Sequence, residues 1–160
     1  MKLTSLQIGI FVLRVALGTV FLAHALLKPL VLTWEAARAF FVHHGFPGWT
    51  MYAVFGIELL GGVSLLLGMG TRWAAVALIP VTVGALRVYA NNGWVFSRPG
   101  GGWEYVAFLT ASLLALSLMG SGAWALDDAM AHWRRRARSS SQPKRGEVSR
   151  FTGRQHRPPR

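Results

Sequence analysis

The sequence predicts an all-α membrane protein, a four-helix transmembrane bundle with a short interfacial helix after the first span. Three observations predict it. Of the 160 residues, 52% are hydrophobic and only 14% are charged, whereas soluble domains carry about 25% charged residues. Four segments, roughly 6–27, 50–69, 73–89 and 105–126, reach or approach the ~20 mostly apolar residues that a bilayer core demands of a helix. The net charge of +11 is gathered at one end: ten Lys/Arg follow Ala129 against the single acid Glu147, so this tail carries +9 and the remainder +2. The chain therefore divides into a four-span membrane domain, 1–128, and a basic, largely disordered cytoplasmic tail, 129–160.

That division excludes several function classes. Because the positive charge belongs to an appendage, the high isoelectric point is not a nucleic-acid footprint, and no nucleic-acid partner is expected. Beside a bilayer the tail meets anionic lipid, at about 1 kcal/mol per basic residue near the surface. The chain has no cysteine, which excludes disulfides, Cys-x-x-Cys redox chemistry, iron–sulfur clusters and covalently attached haem.

The first span closes at Lys28-Pro29. Met1-Lys2, the apolar run and Ala23-His24-Ala25 together look like a cleavable signal, but Arg14 in mid-run argues for a retained helix. The segment 33–41 follows, with Trp34, Ala37 and Phe41 at helical spacing, as an amphipathic helix lying at the headgroups. Spans two and three are joined through Gly68-Met69-Gly70-Thr71-Arg72, a link short enough to force an antiparallel hairpin. Asn91-Asn92-Gly93 through Gly100-Gly101-Gly102 punctuates the approach to the fourth span. Trp49, Trp73, Tyr89, Trp94, Trp103 and Trp124 sit near span ends, as interfacial anchors do. Past Asp127-Asp128 a helix continues over 129–138 before the Ser-rich and basic remainder, which cannot bury apolar surface. The Lys/Arg-rich tail places the C-terminus in the cytoplasm, and an even number of spans places the N-terminus there too. The expected location is a membrane crossed several times, with both termini on its cytoplasmic face.

Ionisable residues inside spans are costly and are functional candidates by default. They are Arg14, His24 and Lys28 in the first span, Glu58 in the second, Arg87 in the third and Glu104 opening the fourth. Counting depth from the predicted span ends predicts an Arg14–Glu58 pair near the bilayer middle. Lys28, Arg87 and Glu104 form an outer layer, with His24 on the Lys28 face, suited to a small acidic or quinone-like headgroup. Structural roles stand beside these: the Arg14–Glu58 pair orients helices, Lys28 and Arg87 snorkel to headgroups, and Glu104 complements a helix dipole. Gly18, Gly61 and Gly62 offer close helix packing on the charged faces. No metal site is expected: His43 and His44 diverge by about 100° on a helix, and His24 alone cannot form a bis-His haem.

Arg14-x3-Gly18-x2-Phe21-x2-His24-x3-Lys28, Glu58-Leu59-Leu60-Gly61-Gly62-x5-Gly68-x2-Thr71-Arg72, Gly93-Trp94 and Gly101-Gly102-Trp103-Glu104-Tyr105, closed by Gly120-Ser121-Gly122 and Leu126-Asp127, resemble the DoxX family of small bacterial four-span membrane proteins. Ala25 departs from the glycine that often follows the histidine. The resemblance covers about 6–128. It implies an accessory subunit of a quinone-linked redox or oxidative-stress complex, since the family names refer to a terminal quinol oxidase and to thiosulfate:quinone oxidoreductase. Quinone is then the implied ligand, with membrane oxidoreductase subunits or further copies of the chain as partners and no reaction by the isolated chain. Two other classes compete: a non-catalytic membrane scaffold, and a small-solute permease gated by a midplane Arg–Glu pair.

Overall fold

The computed structural model describes residues 3–95, 97–127 and 130. Helix α1 (Ser5–Leu30) is opened by a capping box in which the Thr4 hydroxyl accepts from the Gln7 N–H and the Gln7 side chain accepts from the Thr4 N–H, satisfying two donors that helix geometry leaves unpaired. The helix was expected to end at Lys28-Pro29 but runs to Leu30. Pro29 removes only its own N–H from the ladder, and the stop comes where Val31 and Leu32 N–H both close on the Leu27 carbonyl. Thr33 then caps α2 (Trp34–His43), its hydroxyl accepting the Ala36 N–H.

Helices α3 (Thr50–Leu67) and α4 (Thr71–Tyr89) form a hairpin. Gly68 and Gly70 both take left-handed backbone, with φ of 67° and 58°, a region other L-residues enter at a cost of roughly 1–2 kcal/mol. This is why so short a link can reverse the chain. A tight turn over Ala90–Asn92 and a loop lead to α5 (Glu104–Met119).

The fourth apolar segment departs from expectation, since its helix ends at Met119 rather than near 126. Gly120 leaves helical geometry at φ 90°, ψ −151°. Gly122 packs so closely that a Cβ there would lie 2.7 Å from the Ile10 side chain. Residues 120–127 are consequently a strap folded against α1 and the α3–α4 turn: Ala123 N–H donates to the Gln7 carbonyl, Asp127 N–H to the Gly68 carbonyl, and the Gly70 N–H to the Asp127 carboxylate. Apolar composition could not reveal this, because Ala123, Ala125 and Leu126 suit a span and a packed strap equally well.

Met1–Asp127 form one unit. Within it α1 packs on α3, α3 on α4, α4 on α5 and α5 on α1, around a core of Ile10, Leu17, Phe21, Leu65, Ala75, Leu78, Leu109, Leu113 and Leu116. The described residues contain helices and no strand. The end holding the α1 N-terminus, the hairpin turn and the strap is termed proximal; α2 and the 93–103 loop lie at the distal end. The tail and the helix expected over 129–138 fall, apart from Met130, outside the described residues.

Three stretches, Ser5–Leu30, Thr50–Leu67 and Thr71–Asn92, are long and apolar enough to cross a membrane; α5 is apolar but shorter, at 16 residues. Leu60, Phe108 and Leu118 remain 70%, 67% and 79% exposed on the outside of the unit, a distribution suited to lipid rather than water. The chain is a membrane protein whose helices face the bilayer.

Candidate functional site

Helix α1 carries two buried cations, and the structure assigns them different partners from those the sequence suggests. Arg14 is fully buried. Its Nη1 donates to the Leu65 carbonyl at 2.9 Å and the Leu66 carbonyl at 3.4 Å, and its Nη2 to the Ala123 carbonyl at 3.1 Å. Arg14 therefore sits against the last turn of α3, where carbonyls run out of helical partners. Glu58, its expected partner, lies seven residues earlier on α3, about 10 Å away along the axis at 1.5 Å per residue.

Glu58 pairs with Lys28 instead, Oε2 to Nζ at 2.5 Å, with both residues under a tenth exposed. Side chains on a helix lean toward its N-terminus, and α1 and α3 are antiparallel. Arg14 thus leans proximally while Glu58 leans distally, so their offset widens. Lys28 leans back proximally and converges on Glu58. The register is held by glycine: a Cβ on Gly18 would stand 3.0 Å from the Gly62 carbonyl oxygen, and one on Gly62 2.9 Å from the Leu22 backbone nitrogen. Gly61 faces Leu78 of α4 just as closely.

The Lys28–Glu58 pair forms part of the wall of a cavity of about 800 Å³ at the distal half of the bundle. Phe21, His24 and Leu27 of α1, Phe40 and Phe41 of α2, Phe46, and the Pro80–Tyr89 face of α4 line it, with Gly100–Gly102 and Tyr105 beyond. An ammonium has three donors and no acceptor. Lys28 Nζ gives one to Glu58 Oε2 and one to the His24 carbonyl at 3.1 Å, and the third meets no acceptor among the described residues. The result is an apolar cavity, walled partly by phenyl rings, with an ion pair of zero net charge at one point.

Residues 9–92, from α1 through the turn after α4, match the DoxX family model. The chain belongs to the DoxX family. This DoxX protein is also 32% identical over 123 residues to "Putative oxidoreductase CatD" of Bacillus subtilis (strain 168), a match covering 77% of this chain and 87% of that protein. No solved structure matches it. The family-matched region contains Arg14, Lys28 and Glu58, and so both buried cations.

The other candidate residues of the DoxX chain disperse. His24 lines the cavity, its Nδ1 at 2.9 Å from the Val20 carbonyl. Arg87 is exposed and lies over the Phe46 ring, 5.9 Å from its centroid. Glu104 stands in the first turn of α5. Lys28 turns inward to Glu58, away from the outer layer expected of it with Arg87 and Glu104. Phe40, Phe41 and Phe46 were not picked out as ligand contacts, although the aromatic doublet on a short helix above a buried charge is a legible signal. Thr82 and Gly84 carry no such signal, since only the fold brings α4 to that wall.

Proposed function

We propose that this DoxX protein is a four-span inner-membrane subunit that binds a quinone and serves a membrane oxidoreductase without catalysing a reaction alone. In this reading α5 is the fourth span, α2 lies at the outer headgroups, and both termini are cytoplasmic, following the placement of Lys/Arg. The observation that carries the proposal is the Lys28–Glu58 pair on the wall of the distal apolar cavity. A quinone has a flat ring, two carbonyl acceptors and no charge. The third Lys28 N–H suits a carbonyl, Phe40, Phe41 and Phe46 suit a ring face, and the zero net charge of the pair favours an uncharged head over an acidic one. The word oxidoreductase in the name of the Bacillus relative supports the same direction. Arg14 does not line the cavity and lies instead against the Leu65, Leu66 and Ala123 carbonyls.

The test is direct binding. Purified protein in nanodiscs is titrated with a short-chain benzoquinone or naphthoquinone by calorimetry, and lipid extracts of the purified protein are assayed for co-purified quinone. Saturable binding that Glu58→Gln weakens tenfold or more is expected. Absence of saturable binding and of co-purified quinone would sink the proposal.

A further inference from the structure

The cavity reaches the surface of the unit, and the helical geometry of α1 identifies one flank where it does so. Gly18 and Leu22 mark the face of α1 that packs on α3. At about 100° per residue, Leu27 points to the opposite side of α1 from Gly18, and His24 points about 120° away from it. Both nevertheless line the cavity, which therefore passes Lys28 and continues around α1 to the flank turned away from α3. The spanning helix that meets α1 on another side is α5, and it brings Tyr105 to the same cavity.

Exposure agrees with this placement. Leu27 and Tyr105 are 44% and 41% exposed, with Leu32 and Phe40 on the rim at 41% and 46%, whereas the cavity residues of α3, namely Thr50, Val54 and Glu58, are buried or half-buried. Toward the proximal end α1 and α5 share one core cluster, through Ile10 and Leu17 on one helix and Leu113 and Leu116 on the other. The two helices thus close proximally, while distally Leu27 and Tyr105 line the cavity and stay exposed. One lip is the leucine side chain of Leu27, an apolar edge that favours lipid over an aqueous mouth.

We infer that the slot between Leu27 and Tyr105 is a lateral portal through which a long-chain quinone dissolved in the bilayer reaches Lys28–Glu58 head first, its polyprenyl chain staying in the lipid. This rests on the quinone reading above. A cavity of about 800 Å³ is of the size that encloses a drug-sized molecule, so the ring and a few isoprene units fill it and a long chain must lie outside. The slot gives that chain a path that leaves no polar backbone uncovered. On the opposite wall, Gly84 has no atom within 4 Å of where a Cβ would stand, so a larger residue there occupies the cavity itself.

The chain has no cysteine, which allows the slot to be blocked after folding. Phe108→Cys, on the exposed face one turn from Tyr105 and outside the cavity lining, is labelled with a bulky maleimide in detergent and reconstituted in nanodiscs, and labelled and unlabelled samples are compared. Two probes are used, a long-chain polyprenyl quinone in the bilayer and a tail-less benzoquinone from the aqueous phase. Labelling is expected to slow association of the long-chain quinone tenfold or more while changing the Kd of the tail-less probe less than twofold. Gly84→Phe is expected to weaken both probes tenfold or more. An unchanged long-chain rate, or equal slowing of both probes, overturns the portal while the quinone site stands. Failure of the unlabelled protein to bind either probe overturns the site and the portal together.

Discussion

Arg14 and Lys28 lie on one helix, about 21 Å apart at 1.5 Å per residue, and both are buried, yet they play different parts. Arg14 reaches carbonyls of α3 and of the strap after α5. A planar guanidinium with five donors suits several fixed acceptors at once. Lys28 meets a carboxylate and a cavity, where a compact ammonium retains a donor for something else. The contrast teaches that an intramembrane charge becomes a ligand site through the space beside it. Arg14 fastens helix to strap away from the cavity, while Lys28 and its titratable partner border a void and so make a place for a ligand.

Substitutions that separate fastening from site would break or sharpen the contrast. The largest expected effect is that of Arg14→Met, which strips charged donors from buried carbonyls and should cost about 3–5 kcal/mol. It should show as a large fall in thermal midpoint in detergent, and a midpoint no lower than that of Lys28→Met would erase the distinction. Lys28→Met alone leaves a buried carboxylate and should cost about 3 kcal/mol, whereas the double change Lys28→Met with Glu58→Leu should be near neutral. Stability is then restored while quinone binding stays lost, as a double-mutant cycle would read. The smallest effect belongs to Asp127→Ala, which removes the carboxylate accepting the Gly70 N–H at 2.9 and 3.1 Å. Loss of such a cap costs about 1 kcal/mol, and a midpoint shift without any change in ligand binding would keep the strap apart from the site.

Much of the fold was legible because hydropathy, punctuation and helical spacing report directly on local structure. The hairpin followed from Gly68 and Gly70, and the short helix from the spacing of Trp34, Ala37 and Phe41. The strap was not legible, because apolar content does not separate Ala123 in a spanning helix from Ala123 in a folded-back turn. Of the ionisable residues singled out, Arg14, Lys28 and Glu58 are buried while His24 and Arg87 are exposed, and Glu58 meets Lys28 rather than Arg14. Depth counted along the axis omits the lean of side chains toward a helix N-terminus, and in antiparallel helices that lean moves Arg14 and Glu58 apart. The cavity itself was beyond sequence, since Gly84 and Thr82 acquire meaning only once α4 stands opposite Lys28.

The fastening at Arg14 also bears on biosynthesis. Its acceptors lie 51, 52 and 109 residues further along the chain, so α1 emerges long before they exist. During synthesis this arginine has water or headgroups for company, at a cost of about 2.5–3.5 kcal/mol if placed at the bilayer centre without partners. Deep seating of the first helix thus awaits the hairpin, and the final carbonyl arrives only with Ala123. The strap, made after every helix of the unit, is what locks the first in place, so a chain truncated before Ala123 should insert yet remain loosely assembled around α1.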